Sequence, residues 1–254
     1  LSGWLAIIGL GPGSSAQITP EVTQLLSEAT DIVGYESYVH RITSRNPAVR
    51  HLSGNRVELE RAYQALNLAT DGKNVALVTS GDPGIFAMAA AVFEAVDAGP
   101  KTWRSLDIRV LPGITALLAA AARTGAPLGN DFCAINLSDN LKPWALIEKR
   151  LRLAIDGDFV IACYNPRSNA RPDGFAKVLK LLQRETDRKR TLIFARAVST
   201  KHEHIQVIPL EDCRPDMADM QTLIIIGNSM TRIIETTGQP WVYTPRSVDP
   251  EKSQ

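Results

Sequence analysis

The stretch that most constrains the fold is Asn74-Val75-Ala76-Leu77-Val78-Thr79, which runs straight into Ser80-Gly81-Asp82-Pro83-Gly84. An uncharged run without polar alternation fits a strand covered on both faces, as in a parallel sheet sandwiched by helices. The pattern recurs on either side. Residues 4–8 read as a strand entering Gly9-Leu10-Gly11-Pro12-Gly13, and residues 106–111 as a strand entering Pro112-Gly113-Ile114-Thr115. Helical spacing follows these turns. Thr19 and Pro20 form an N-cap and N1 pair ahead of Val22, Leu25, Leu26 and Ala29. Alanine-rich helices are expected over 86–98 and 116–123, with Asp82 able to cap the first of them. A further strand is expected over 31–35, and Leu59, Tyr63, Leu66 and Ala69 mark one more helix. Strand, glycine turn and helix in alternation mean an α/β fold.

The second half repeats the alternation and then loses its helices. Strands are expected over 132–137 and 158–164, with helices between and after them. Three strands then follow closely, over 191–196, 203–208 and 221–227. Short connections without crossover helices imply an antiparallel or mixed portion. The chain of 254 residues suits one large domain or two small ones. Pro/Gly clusters around 112–128 mark the boundary, giving domains over 1–115 and 116–240, with 241–254 as a surface tail.

Composition removes several functions. Lys plus Arg is 28 and Asp plus Glu is 27, so the net charge is +1 and the chain lacks the basic excess of a nucleic-acid binder. No apolar stretch is long enough for a membrane span, and the apolar start is too short for a signal peptide. Cys133, Cys163 and Cys213 are few and far apart, which reads as buried or bystander thiols in a reducing cytosol. His202 and His204 share a strand face around Glu203 but lack a third ligand, so no metal site is expected. The chain has neither the GxSxG nor the GxxxxGK pattern.

The glycine turns sit where open α/β sheets place ligands, outside the carboxyl ends of strands. Gly9-x-Gly11-Pro12-Gly13 fits a dinucleotide fingerprint poorly, because Pro12 removes an amide and the helix starts late. It reads either as a turn beside a ligand cleft or as a structural turn. Asp82 reads as a helix cap or as part of a ligand wall. The loops after 111 and after 79 would form adjacent walls of one crevice. Asn136, Ser138, Asp139 and Asn140 cluster after one strand, and Asn165, Arg167 and Arg171 after another. The arginines suit an anionic substrate or a plain surface loop.

The motifs GLGPG at 9–13, TPE at 19–21, SGDPGIF at 80–86 and LPGITALLAAAARTGAPLGNDFCAINLSD at 111–139 resemble the tetrapyrrole methylases. GDFVIACYNPRS at 157–168 and IIGNS at 225–229 are similar to the branch acting at C17 of precorrin-3B with ring contraction. The resemblance spans about residues 4–235. It implies a two-domain α/β fold, with a mostly parallel N-terminal sheet, a mixed C-terminal sheet and S-adenosylmethionine in the interdomain cleft. It also implies a homodimer in the cytoplasm, a tetrapyrrole substrate and a hand-off of product to the next enzyme, without nucleic acid or membrane.

By motif matching, the cofactor contacts would be Gly81, Asp82, Pro83, Ile85, Phe86, Thr115 and Ala116, and then Asn136, Leu137, Tyr164, Asn165, Ala197, Val198, Gly227 and Asn228. Gly11, Pro12 and Gly13 would border the tetrapyrrole. Arg167 and Arg171 are expected to bind its carboxylates, with Arg45 and Arg56 as further candidates. Asp82 and Asp139 are the candidates for proton transfer, and a histidine is an alternative. One departure from the family stands out. A glycine-arginine pair commonly follows the position of Arg196, where this chain has Ala197-Val198-Ser199-Thr200.

Overall fold

The computed structural model describes residues 3–43, 47–54 and 57–247. Arg45 and Arg56 lie outside the described residues. The chain divides into two compact units, Leu1–Thr115 and Ala116–Gln254.

The first unit contains β1 (Trp4–Gly9), α1 (Pro20–Glu28), β2 (Asp31–Tyr35), α2 (Glu36–Val39), β3 (Val49–Ser53), α3 (Glu58–Thr70), β4 (Asn74–Thr79), α4 (Met88–Ala98) and β5 (Asp107–Leu111). Its five strands are all parallel, in the order β3-β2-β4-β1-β5. Side-chain alternation along β1 explains the continuous apolar run. Ala6 and Ile8 pack with Val22, Leu25 and Leu26 of α1. Leu5 and Ile7 pack on the other face with Leu66 of α3 and Val92 of α4. The connection from β1 therefore runs over one face and that from β4 over the other. The strands lie side by side, so their carboxyl ends open a crevice where the chain reverses its winding.

Thr19 caps α1 as expected, its hydroxyl accepting the Val22 amide at 3.2 Å, with Pro20 in the first turn. The helix expected from 86 starts at Met88 with Ala87 at its N-cap, so Asp82 is not a helix cap. The sequence reading missed β3. Its residues Val49, Arg50, His51, Leu52 and Ser53 carry two basic groups and lie on the sheet edge, where no apolar run is needed.

The second unit contains α5 (Ala116–Thr124), β6 (Gly125–Ala126), β7 (Phe132–Asn136), α6 (Trp144–Asp156), β8 (Val160–Tyr164), α7 (Gly174–Glu185), β9 (Thr191–Arg196), β10 (His204–Pro209), β11 (Thr222–Ile226), β12 (Arg232–Ile234) and β13 (Trp241–Tyr243). The main sheet is mixed, in the order β10-β9-β11-β8-β7. Only β7 and β8 pair in parallel within it, and the remaining pairs are antiparallel. Phe175, Val178 and Leu182 of α7 and Ile147 and Leu151 of α6 cover one face, against Ile161, Phe194 and Ile224.

The expectation of a tail from 241 needs correction. β13 is the middle strand of a small sheet ordered β12-β13-β6, pairing antiparallel with β12 and parallel with β6. Val242 is fully buried, and the Thr244 hydroxyl donates to the Pro127 carbonyl at 2.6 Å. The strand is short and its neighbours polar, so the sequence gives no periodic signal. Residues 248–254 of the expected tail lie outside the described residues.

Cys163 and Cys213 are buried, and burial raises both thiol pKa values, Cys213 to about 12 with Asp212 adding to the shift. Thiolate is the reactive form. In the native protein at pH 8, a thiol reagent is expected to leave Cys163 and Cys213 unmodified over minutes and to modify both on unfolding. Peptide mapping of the labelled protein checks this, and fast native labelling of either would contradict it.

Candidate active site

Three glycines close the carboxyl edge of the first sheet. Gly9 ends β1, Gly81 follows β4 and Gly113 follows β5. A Cβ on Gly113 would lie 2.2 Å from the Gly81 carbonyl oxygen and 2.9 Å from the Gly9 Cα. The loops thus touch backbone to backbone. Gly11 and Gly81 exchange both hydrogen bonds, at 3.2 and 2.9 Å, and both have positive φ, at 66° and 65°. The expected substrate loop (11–13) and cofactor loop (81–86) are therefore one hydrogen-bonded unit.

Asp82 completes the tie. One carboxylate oxygen accepts the Gly84 amide at 2.8 Å and the other accepts the Gly113 amide at 3.0 Å. A single side chain therefore shapes its own turn and holds the neighbouring strand-end loop. Past this turn, Phe86 adopts φ 53°, and Ile85 and Phe86 stand 41% and 47% exposed. The loop thus offers an apolar wall beside a cluster of backbone dipoles.

The sequence reading missed Arg41. One Nη of its guanidinium donates to the carbonyls of Leu10, Gly11 and Gly13 at 2.9, 3.0 and 3.3 Å, and the other donates to the Ser80 hydroxyl at 3.2 Å. It fixes the turn after β1 to the turn after β4. Arg41 lies 28 to 39 positions from these partners, so no local spacing could have identified it.

In the second unit, the carboxyl ends of β7, β8 and β9 carry most of the expected residues. Asn136 and Tyr164 are register partners at the ends of β7 and β8. The side-chain Oδ1 of Asn136 accepts the Ser138 amide at 2.9 Å and the Asn165 side-chain amide at 3.1 Å. Leu137 is buried and donates its amide to the Tyr164 carbonyl at 2.9 Å. The Tyr164 hydroxyl receives the Leu117 amide at 3.1 Å, which brings the first turn of α5, next to Ala116, to this edge. Thr115, the last residue of the first unit, is buried.

Gly227 and Asn228 do not join this group. β11 runs antiparallel to β8, with Ile226 opposite Ile161 and Ile224 opposite Cys163. Gly227 thus emerges at the amino end of β8, while Tyr164 and Asn165 leave the carboxyl end. The five residues of β8 separate them, roughly 16 Å at the usual strand rise. Asn228 is buried and organises a turn, accepting from the Met230 amide at 3.0 Å and the Thr231 hydroxyl at 3.2 Å. The antiparallel insertion of β11 is what motif matching cannot see.

Asp139 and Arg171 meet as an ion pair at 3.7 Å, too long for a hydrogen bond. They line a small cavity of about 180 Å³ together with Trp144 and Lys177. The Lys177 ammonium lies 4.8 Å from the Trp144 ring centre. The Arg171 Nε is buried without a hydrogen-bond partner among the described residues. Arg167 is half-buried four residues earlier, before a turn closed by Ser168 and Arg171.

The loop after β9 holds two of the five non-glycine residues with positive φ among the described residues. Ala197 and Ser199 have φ 47° and 64°, and Asn165 after β8 has 53°. Such conformations cost about 1–2 kcal/mol for a residue with a Cβ and gather at functional sites. The carboxylate of Glu203 locks the loop by accepting the Ser199 amide and pairing with Arg123 of α5. Val198 is buried, as is the Ser199 hydroxyl, which has no hydrogen-bond partner among the described residues. Ser199 thus takes a conformation that favours glycine, in the segment where the resemblance leads to the expectation of a glycine. Ser199→Gly is expected to stabilise the protein by about 1 kcal/mol, the relief of strain exceeding glycine's entropic cost. Urea unfolding checks this, and a lower midpoint would contradict it.

Residues 5–213 match the model for tetrapyrrole (corrin/porphyrin) methylases. The chain is 50% identical over 247 residues to a precorrin-3B C(17)-methyltransferase of Sinorhizobium sp., covering 97% of each chain. It is 40% identical over 232 residues to a probable cobalt-factor III C(17)-methyltransferase of Salmonella typhimurium, covering 90% of this chain and 94% of the relative. The crystal structure of the methyltransferase CobJ superposes with a TM-score of 0.91 at 56% identity, over 96% of this chain and all of that one.

Proposed function

The chain belongs to the tetrapyrrole (corrin/porphyrin) methylases, and from that membership we infer that it methylates C17 of precorrin-3B and contracts the macrocycle to give precorrin-4. The observation that carries this reading is the 50% identity, over 97% of both chains, to a precorrin-3B C(17)-methyltransferase. The probable cobalt-factor III C(17)-methyltransferase is less similar, at 40%, so the metal-free substrate is preferred.

S-adenosylmethionine supplies the methyl group, activated on a sulfonium. The strand-end loops fit such a cofactor. Among the described residues, the loop after β4 offers backbone carbonyls and the apolar Ile85 and Phe86, and no Lys or Arg lies within 80–86 to serve a phosphate. We assign cofactor contacts to Gly81, Asp82, Pro83, Ile85, Phe86 and Thr115 of the first unit, and to Ala116, Asn136, Leu137, Tyr164, Asn165, Ala197 and Val198 of the second. Asp82 acts here as an organiser of loops, because both of its oxygens already accept backbone amides. Gly11, Pro12 and Gly13 border the tetrapyrrole, and Arg167 and Arg171 take its carboxylates. Holding the ring carbon in line with the methyl group removes much of the entropic barrier.

Contraction requires proton transfers at the oxygen functions of the precursor. Asp139 is the proposed acid–base group, with the Arg171 guanidinium 3.7 Å away. No described helix is long and apolar enough to cross a membrane, and a cytoplasmic homodimer that hands its product to the next enzyme completes the proposal.

Incubation with S-adenosylmethionine and either precursor tests the reading. Mass spectrometry and carbon-labelled NMR are expected to show one added methyl at C17 and a contracted ring from the metal-free precursor. Turnover of the cobalt form alone would favour the second relative's activity, and methylation at another carbon would overturn the assignment.

A further inference from the structure

Arg61 is buried and Arg41 half-buried, and among the described residues the hydrogen-bond partners of both guanidinium groups are neutral. Arg61 is 5% exposed. Its Nε donates to the Ser53 hydroxyl at 2.7 Å, one Nη to the Gly54 carbonyl at 2.7 Å and the other to the Met88 sulfur at 3.4 Å. Arg41 is bonded to three carbonyls and the Ser80 hydroxyl, as described above. Neither guanidinium forms an ion pair with a described residue. Burial lowers the pKa of both, and Tyr38 is their shared polar neighbour; Glu58, exposed on the first turn of α3, acts on Arg61 alone. A buried charge without a counter-charge is expensive, and proteins rarely keep one without a use.

The two arginines occupy the carboxyl edge of the first sheet. Arg41 lies over the ends of β1 and β4, and Arg61 lies between the end of β3 and the start of α4. The intervening sequence sharpens the imbalance. Between them lie Arg45, Arg50 and Arg56, opposed only by Glu58 and Glu60. A guanidinium has five N–H groups, and the three bonds of Arg61 leave two of them for a ligand.

We propose that Arg41 and Arg61 form a receptor for a carboxylate of the substrate, at the edge of the first unit that carries Gly11, Pro12 and Gly13. The missing counter-charge then arrives with the ligand. This rests on the tetrapyrrole reading, which supplies a substrate rich in carboxylates. It adds two residues that motif matching did not assign, and it puts an anion-binding role in the first unit as well as at Arg167 and Arg171.

The test measures binding of a stable porphyrin octacarboxylate by quenching of tryptophan fluorescence, at low and moderate salt. S-adenosylhomocysteine binding is measured by calorimetry, and thermal unfolding is followed without ligand. Arg61→Met is expected to raise the octacarboxylate Kd at least tenfold and to flatten its salt dependence. The S-adenosylhomocysteine Kd should stay within twofold, and Tm should stay level or rise, because an unpaired buried cation is gone. Arg61→Lys should recover part of the affinity, and Arg41→Lys should lose affinity through its missing fork. Octacarboxylate affinity within twofold of wild type in both Arg61→Met and Arg41→Lys overturns the proposal. So does a loss that falls equally on both ligands and on Tm, since that marks a scaffold role. Wild-type protein that fails to bind the octacarboxylate overturns the tetrapyrrole reading itself.

Discussion

Gly113→Ala is expected to lower stability by about 3 kcal/mol, as forced overpacking against rigid groups does, and to abolish measurable S-adenosylhomocysteine binding. The added methyl would sit 2.2 Å from the Gly81 carbonyl oxygen and within 3 Å of the Gly9 backbone. These atoms belong to strand ends and turns held by the β1–β4 and β1–β5 ladders, so neither can swing aside like a side-chain tip. Relief requires prising β5 from β1 at their carboxyl ends, which also pulls the Gly113 amide from Asp82. Urea unfolding and calorimetric titration check both parts. A variant with wild-type stability and full cofactor affinity would show that the three-glycine contact is looser than described.

Asp82→Asn is expected to raise the S-adenosylhomocysteine Kd at least tenfold and to lower kcat/KM by about 100-fold, equivalent to ~2.7 kcal/mol. The carboxylate accepts two amides, one on each oxygen. The isosteric amide keeps one acceptor and turns an NH2 donor against the other N–H. Asp82→Ala should be at least as damaging, since both amides lose their partner. The pattern of the loss separates two roles. A loop organiser loses cofactor affinity and turnover together. A proton-transfer group would lose kcat and keep S-adenosylhomocysteine affinity, and that outcome would return Asp82 to catalysis.

Much of this architecture was legible in the chain. The buried run at β4 and the glycine turns after β1, β4 and β5 specify parallel strands with their loops at one edge, because only that arrangement needs both. The closely spaced strands after residue 190 carry their mixed character in their short connections. What stayed hidden has physical reasons. β3 lies at a sheet edge and needs no apolar run. Arg41 acts on backbone carbonyls, which leave no imprint on the sequences of the residues that own them. The antiparallel course of β11 carries Gly227 and Asn228 away from Tyr164, and a linear motif holds no information about strand direction. The strain at Ser199 was foreshadowed by the missing glycine after Arg196, although its sign becomes clear only from the backbone.

The small sheet of β12, β13 and β6 has a consequence for how the polypeptide is made. Gly125 and Ala126 pair with Val242 and Tyr243, and the Thr244 hydroxyl reaches back 117 positions to Pro127. During synthesis, β6 leaves the ribosome long before its partner strand exists. The first unit is complete by Thr115 and can collapse on its own while the rest is translated. The second unit must hold its opening strand unpaired until nearly all of it has emerged, because closing so long a loop comes late in folding. The arrival of β13 therefore sets the moment at which this small sheet can form.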